Sequence, residues 1–167
     1  MKRTPPLIAV RALLLVAAVG CTSRHRVESA FAQIIPAEDT NSSIGLVPIT
    51  AEVSQSSGVF ISLQLTNNSN RNVAFPPGYA ARGFLWSEDK DSWMEIPNGI
   101  VFPDVGYELG PSGGDVPYIG TANFASTDPR LLAAQSLRIA VEGSLLGEDG
   151  SADGAIAAFT DVTLPGR

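Results

Sequence analysis

Val59-Phe60-Ile61-Ser62-Leu63-Gln64-Leu65-Thr66, stopped by Asn67-Asn68-Ser69-Asn70, is the stretch on which the fold turns. Val59, Ile61, Leu63 and Leu65 alternate with Phe60, Ser62, Gln64 and Thr66. A period of two places alternate side chains on opposite faces of a strand, and a run of Asn and Ser ends it. The same texture recurs on either side. Upstream, Ile49, Ala51 and Val53 alternate with Thr50, Glu52 and Ser54. Downstream, Val73 to Phe75 is a short strand closed by Pro76-Pro77-Gly78. Residues 83–87 and 93–96 flank Glu88-Asp89-Lys90-Asp91-Ser92, which reads as a hairpin with a charged tip.

The second half continues in kind. Residues 116–124 read as extended. Ser126-Thr127-Asp128-Pro129 is a helix start, but only residues 130–135 follow it, so one or two turns are expected. Leu137, Ile139 and Val141 alternate with Arg138, Ala140 and Glu142, and residues 156–164 supply a last strand. Between them Gly147-Glu148-Asp149-Gly150-Ser151-Ala152-Asp153-Gly154 is a turn-rich connector. Roughly seven to nine short strands without a long helical pattern predict an all-β antiparallel β-sandwich over residues 44–167. Its inward faces come from the odd-numbered residues of 49–53, 59–65 and 137–141. Leu63-Gln64-Leu65-Thr66-Asn67-Asn68-Ser69, Phe84-Leu85-Trp86 and Asp161-Val162-Thr163-Leu164 resemble immunoglobulin-like domains of secreted bacterial lipoproteins, without the core disulfide of antibody domains.

Composition narrows the function classes. The chain has 167 residues, enough for one domain with a tail. One Cys excludes an internal disulfide framework and a multi-cysteine zinc site, and one His excludes a clustered-histidine metal centre. A net charge of -6 argues against nucleic acid, which needs a basic footprint to displace counterions.

Residues 1–20 read as an address. Lys2, Arg3 and Arg11 are its only charges, and residues 12–20 are apolar apart from the small Gly20. As a helix, residues 12–20 cover roughly 13 Å, and 7–20 roughly 21 Å, short of a ~30 Å hydrocarbon core. Ala18-Val19-Gly20-Cys21 resembles the lipobox of bacterial lipoproteins. The resemblance implies a diacylglyceryl group on the Cys21 thiol, cleavage before it, and acylation of the new amine. Thr22, in place of the Asp that retains such proteins at the inner membrane, implies the outer membrane. Two or three acyl chains hold a protein durably where one does not. Cleavage leaves 147 residues, 167 less 20, and removes three basic residues of 11, so that eight face 17 acidic ones at a net charge of -9. Such a surface is repelled by anionic lipid, so the acyl chains, not charge, hold the membrane partner. Residues 21–43, rich in Ser, Thr, Asn and charge and interrupted by Pro36, read as the lipidated Cys21 and a flexible tether. Residues 30–35 are too short for a persistent helix alone.

Catalytic chemistry finds little footing. His25, the only His, lies in the tether between Arg24 and Arg26. Lys90, the only Lys beyond the leader, sits among acids on the hairpin tip. Acids cluster in turns, Glu88-Asp89-Asp91 and Glu148-Asp149-Asp153, while Asp104, Glu108, Asp115 and Asp161 are scattered, and no pair stands out for glycoside chemistry. Gly110-Pro111-Ser112-Gly113-Gly114 lacks the Lys and helix start of a phosphate loop. Asp149-Gly150-Ser151-Ala152-Asp153-Gly154 matches the first half of an EF-hand-type loop, with Ile156 at the apolar eighth position. Its twelfth position is Thr160, with Asp161 one residue late. Asp149, Ser151, Asp153 and Asp161 are therefore the calcium candidates, against a Gly-rich strand connector. Phe84 and Trp86 share one face of their strand, with Trp93 across the hairpin; with Tyr79, Tyr107 and Tyr118 they are core or an exposed platform for sugar or protein.

The expectation is a non-catalytic envelope protein without a cofactor, anchored through Cys21, that binds an envelope partner or gives structural support. Its rivals are a module for carbohydrate or calcium and an inhibitor of an extracellular enzyme that presents loop 76–83 or 104–118.

Overall fold

The computed structural model describes residues 24–40, 43–54, 58–76, 81–97, 99, 106–111, 118–124 and 129–165. The leader, Cys21, Tyr79, Asp104 and Asp115 lie outside them. Among the described residues nine strands follow a helix, α1, over 24–31: β1 Ile44–Ser54, β2 Gly58–Asn67, β3 Val73–Phe75, β4 Arg82–Ser87, β5 Ser92–Ile96, β6 Tyr107–Leu109, β7 Tyr118–Phe124, β8 Ser136–Leu146 and β9 Ala152–Thr163. A short α2, Pro129–Ala133, precedes β8. The fold is an all-β antiparallel sandwich of two sheets.

One sheet has the order β1-β2-β7. The other is built on β8, which pairs along its length with β9 and on its opposite edge with β4 near its start and β3 near its end. β5 and β6 extend those two branches. The expected β4–β5 hairpin is present, with Trp86 directly opposite Trp93.

Between the sheets lies the main core. Val59, Ile61, Leu63 and Leu65 point into it from β2, and Leu137, Ile139 and Val141 from β8, as their period of two requires. β1 departs from the expected pattern. Pro48 faces Leu63 while Thr50 faces Ser62, so Ile49 is the extra residue of a bulge. Ile44 and Leu46 are buried before the bulge, Ala51 and Val53 pack on the core after it, and Ile49 is 47% exposed. The inward set therefore switches from even to odd numbers across the bulge.

β8 departs in a second way. Arg138 and Ala140, on its other face, are also buried. The reason is the segment expected to be a free tether. Residues 24–31 are helical, turns follow to residue 39, and Thr40 bridges Ala157 of β9. Phe31 and Ile35 are each 2% exposed and pack with Phe84, Ala140 and Ala157, with Ile34, Trp93 and Phe159 around them. A free helix this short melts in water, but Phe31 at its end and Ile34 and Ile35 in the turn that closes on the Phe31 carbonyl bring apolar side chains together over the sheet. Residues 24–40 are therefore packed on the domain as a third layer.

Candidate functional site

A dense cluster of charged and aromatic side chains lies under α1. Arg138, the third residue of β8, stands directly opposite Asp161 of β9, and its side chain is 3% exposed. Its Nη1 and Nη2 donate to Glu28 Oε2 and Oε1 of α1, both at 2.9 Å. Its Nε and Nη2 donate to Asp161 Oδ1 and Oδ2, both at 2.7 Å. The guanidinium carbon also lies 4.7 Å from the ring centres of Phe31 and Trp93 and 4.6 Å from that of Phe159. Burial pulls this guanidinium toward neutrality, but the hydrogen bonds to Asp161 and then Glu28 outweigh it and hold its pKa above the ordinary arginine value. Two forked pairs and an aromatic cage satisfy a buried arginine in the geometry its planar fork suits.

Aromatic packing fastens the same clasp. Phe31 meets Phe84, Trp93 and Phe159 edge-on, at centroid distances of 5.4, 5.2 and 4.9 Å. Trp93 Nε1 donates to the Val27 carbonyl at 2.9 Å, and Arg26 Nε reaches Asp91 Oδ1 of the hairpin tip at 2.8 Å. Trp86 stacks edge-on against Trp93 at 5.5 Å, and its buried Nε1 meets no acceptor among the described residues. Phe84 and Trp93 thus belong to a second, smaller core beneath α1. Beside it on the same face Arg82 pairs with Glu95 and Glu142 at 2.8 Å each. The Glu95 hydrogen bond is the largest influence on its pKa and, with Glu142, raises it despite burial. An arginine held by carboxylates on two sides keeps its charge and moves no proton, so these groups position structure.

At the far end of β8 lies a polar cleft of about 590 Å³, lined by Asn70, Arg71, Asn72, Leu146, Gly147, Glu148 and Asp153. Arg71 is held in place there. Its Nε and Nη2 donate to the Leu146 carbonyl at 3.1 and 2.9 Å, and Nη2 also meets Asp153 Oδ2 at 2.7 Å. Asn67, read from the sequence as the start of a turn, is buried beside it and ties the sheets together. Its Nδ2 donates to the carbonyls of Arg71, Leu109 and Gly110 at 2.7, 3.0 and 3.0 Å, and its Oδ1 accepts from Ser69 N and Oγ.

The four calcium candidates are not brought together. Asp149 Oδ1 accepts from Ser151 N at 3.0 Å and Ser151 Oγ at 2.6 Å, closing the loop on itself. Asp153 is held by Arg71, and Asp161, near the opposite end of the β8–β9 pair, by Arg138. Among the described residues no group of three His, Cys, Asp or Glu side chains is placed to hold a metal ion. His25 is exposed on α1, its Nδ1 3.3 Å from Ser29 Oγ.

Sequence reasoning missed Glu28, Phe31 and Arg138 as partners. The available signal was an acid one turn before an apolar triplet of helical spacing, together with an arginine in a strand whose other outward neighbour is Ala140. Neither names its partner 110 residues away. No protein-family model matches the chain, and neither a curated protein nor a solved structure matches it.

Proposed function

We propose that the chain is a lipid-anchored envelope protein, fixed through Cys21, whose immunoglobulin-like sandwich serves as a non-catalytic binding or supporting body. The observation that carries the reading is the position of the single cysteine. It closes an apolar leader in Ala18-Val19-Gly20-Cys21 and stands three residues before α1. Among the described residues no helix is long and apolar enough to cross a membrane, and two or more acyl chains on Cys21 would hold the body durably. A non-catalytic role is supported by where the reactive groups sit: Asp153, Asp161, Glu95 and Glu142 are engaged by arginines. The polar cleft lined by Asn70 to Asn72 and Glu148 offers hydrogen-bonding groups to an envelope partner.

The test is intact mass analysis of the polypeptide extracted from membranes of the native cell. The expected species begins at Cys21 and carries a diacylglyceryl group with a further acyl chain. The Cys21→Ala variant is expected to leave the membrane fraction or retain its leader. A wild-type chain with a free thiol at position 21 or an uncleaved leader overturns the reading.

A further inference from the structure

We infer that the sandwich stands on the lipid surface by its β4–β5 hairpin end and presents the cleft around Arg71 at the opposite end. The inference rests on the anchor reading above and adds an orientation to it. Its first support is chain length. Two residues, Thr22 and Ser23, separate Cys21 from the first described residue of α1, and three peptide steps span at most about 10 Å. That is too little for a swinging tether. Its second support is that α1 is rigidly part of the domain. Arg26 binds Asp91 and Trp93 holds Val27, so the helix start is pinned to the hairpin tip, while Arg138 holds Glu28 one turn on.

From there the chain descends along β9 to Thr40 beside Ala157, and Ser43 accepts from Asn68 at the cleft end. The anchor therefore enters at one end and the cleft lies at the other. The 11 residues of β8 between them span about 33 Å at a ~3.3 Å rise.

Charge supports the same orientation. The helix start and the tip gather three cations, Arg24, Arg26 and Lys90, against three carboxylates, Glu88, Asp89 and Asp91. The net surplus of -9 in the cleaved chain thus falls on the rest of the body. An end that is locally balanced approaches zwitterionic headgroups without the repulsion the remaining surface meets at anionic ones. The surface this end fits is a zwitterionic lipid headgroup layer.

The experiment uses the full chain purified from membranes and reconstituted in phosphatidylcholine vesicles that carry headgroup-nitroxide lipid. With Cys21 acylated, Asp89→Cys, Val47→Cys and Asp149→Cys each provide one free thiol for a fluorophore. The label at position 89 is expected to lose most of its emission to the nitroxide, and those at 47 and 149 little. Equal loss at 89 and 149, or the larger loss at 149, overturns the orientation. The largest loss at 47 overturns it in favour of docking by the β1 face, where Val47 and Ile49 are exposed. The mass of the same preparation separates failures: an acylated chain with the wrong label quenched sinks the orientation alone, whereas a chain without acyl groups sinks the anchor reading beneath it. Inserting about 16 Gly and Ser residues after Ser23, with a root-mean-square span of about 22 Å, is expected to abolish the loss at 89. Quenching that survives the insertion shows contact not imposed by the short anchor, and overturns the argument from chain length.

Discussion

Arg138 of β8 grips Glu28 of α1 through two hydrogen bonds of 2.9 Å that span 110 residues of sequence. Asp161 takes the rest of the guanidinium, so one side chain joins the N-terminal layer to both long strands. Removing a buried charge's partner costs more than removing the whole pair, because the charge left behind has no water. Here the arginine is the buried member, and its two carboxylates are half-exposed. Arg138→Met frees carboxylates that water can reach, and is expected to destabilise by about 2–3 kcal/mol, below the full ~3–5 of a fully buried pair. Glu28→Gln leaves the Asp161 fork intact and is expected to cost about 1 kcal/mol. Denaturant midpoints of the three proteins check the order; equal losses for both variants would refute the asymmetry.

Phe31 bears on the same layer through packing alone. It is 2% exposed and touches three other aromatic rings. Phe31→Ala is expected to cost about 3–4 kcal/mol, since the rigid β-sheet beneath cannot collapse into the void. Hydrogen exchange is the discriminating measurement. Protection is expected to fall in 24–40 and along β9 near Ala157, and to persist in β2 and β7 on the far side of the main core.

The strands and their alternation were legible because period two is a local property. β2 and β8 place their odd-numbered apolar residues inside, and the hairpin closes at its charged tip. The bulge at Ile49 was not legible, since an extra residue has no signature until its partner strand fixes the register. The burial of Arg138 was hidden for a deeper reason. It needs α1, and α1 has too few residues to form by itself, so its existence depends on the sheet it covers. Local propensity pointed to linker, and tertiary burial of Phe31 and Ile35 overrode it. The polar candidates were legible by type and not by place: Asp153 and Asp161 share one strand, but their arginines lie at opposite ends of it.

Asn67 makes a sharper test of the cleft end. Its amide nitrogen serves three carbonyls, and it is 5% exposed. Asn67→Asp keeps the shape but turns the donor into an acceptor facing the carbonyls of Arg71, Leu109 and Gly110. The expected loss is about 3 kcal/mol or more, recovered in part as acid protonates the new carboxyl. Asn67→Ala, which leaves unsatisfied carbonyls without adding charge, is expected to cost about 2 kcal/mol. A smaller loss for Asn67→Asp than for Asn67→Ala in thermal unfolding would show that Nδ2 is not the group that matters.

Gly143 sits where β8 passes from β4 to β3. A methyl group there would fall 2.6 Å from the Ala74 carbonyl oxygen and 2.8 Å from the Phe75 ring. Backbone cannot yield as a flexible side chain does, so Gly143→Ala is expected to push β3 off β8 and cost about 1–3 kcal/mol. Loss of amide protection centred on β3 and β6 is the expected pattern, because the clash falls on Ala74 and Phe75 of β3, while β4 pairs elsewhere along β8 and β9 meets Gly143 through Ile156 on the opposite edge.

Asp149 supplies a pH test of the loop at the cleft rim. The Ser151 hydroxyl, and then the Ser151 amide, donate to its carboxylate and lower its pKa below the ordinary aspartate value of 3.8. A carboxylate with a depressed folded-state pKa contributes stability that is present above the unfolded value and is lost as pH falls through the folded one. The loop is therefore expected to hold its turn through pH 4 and to open only in stronger acid. The group is exposed, so the global stability changes little, and the local signal is the one to follow. A carboxyl carbon titration by NMR is expected to place Asp149 below the ordinary aspartate value. Ser151→Ala removes the larger of the two donors and is expected to move the midpoint back up toward 3.8. If the midpoint does not move, the backbone amide alone sets it, and the Ser151 hydroxyl has no part in holding the loop.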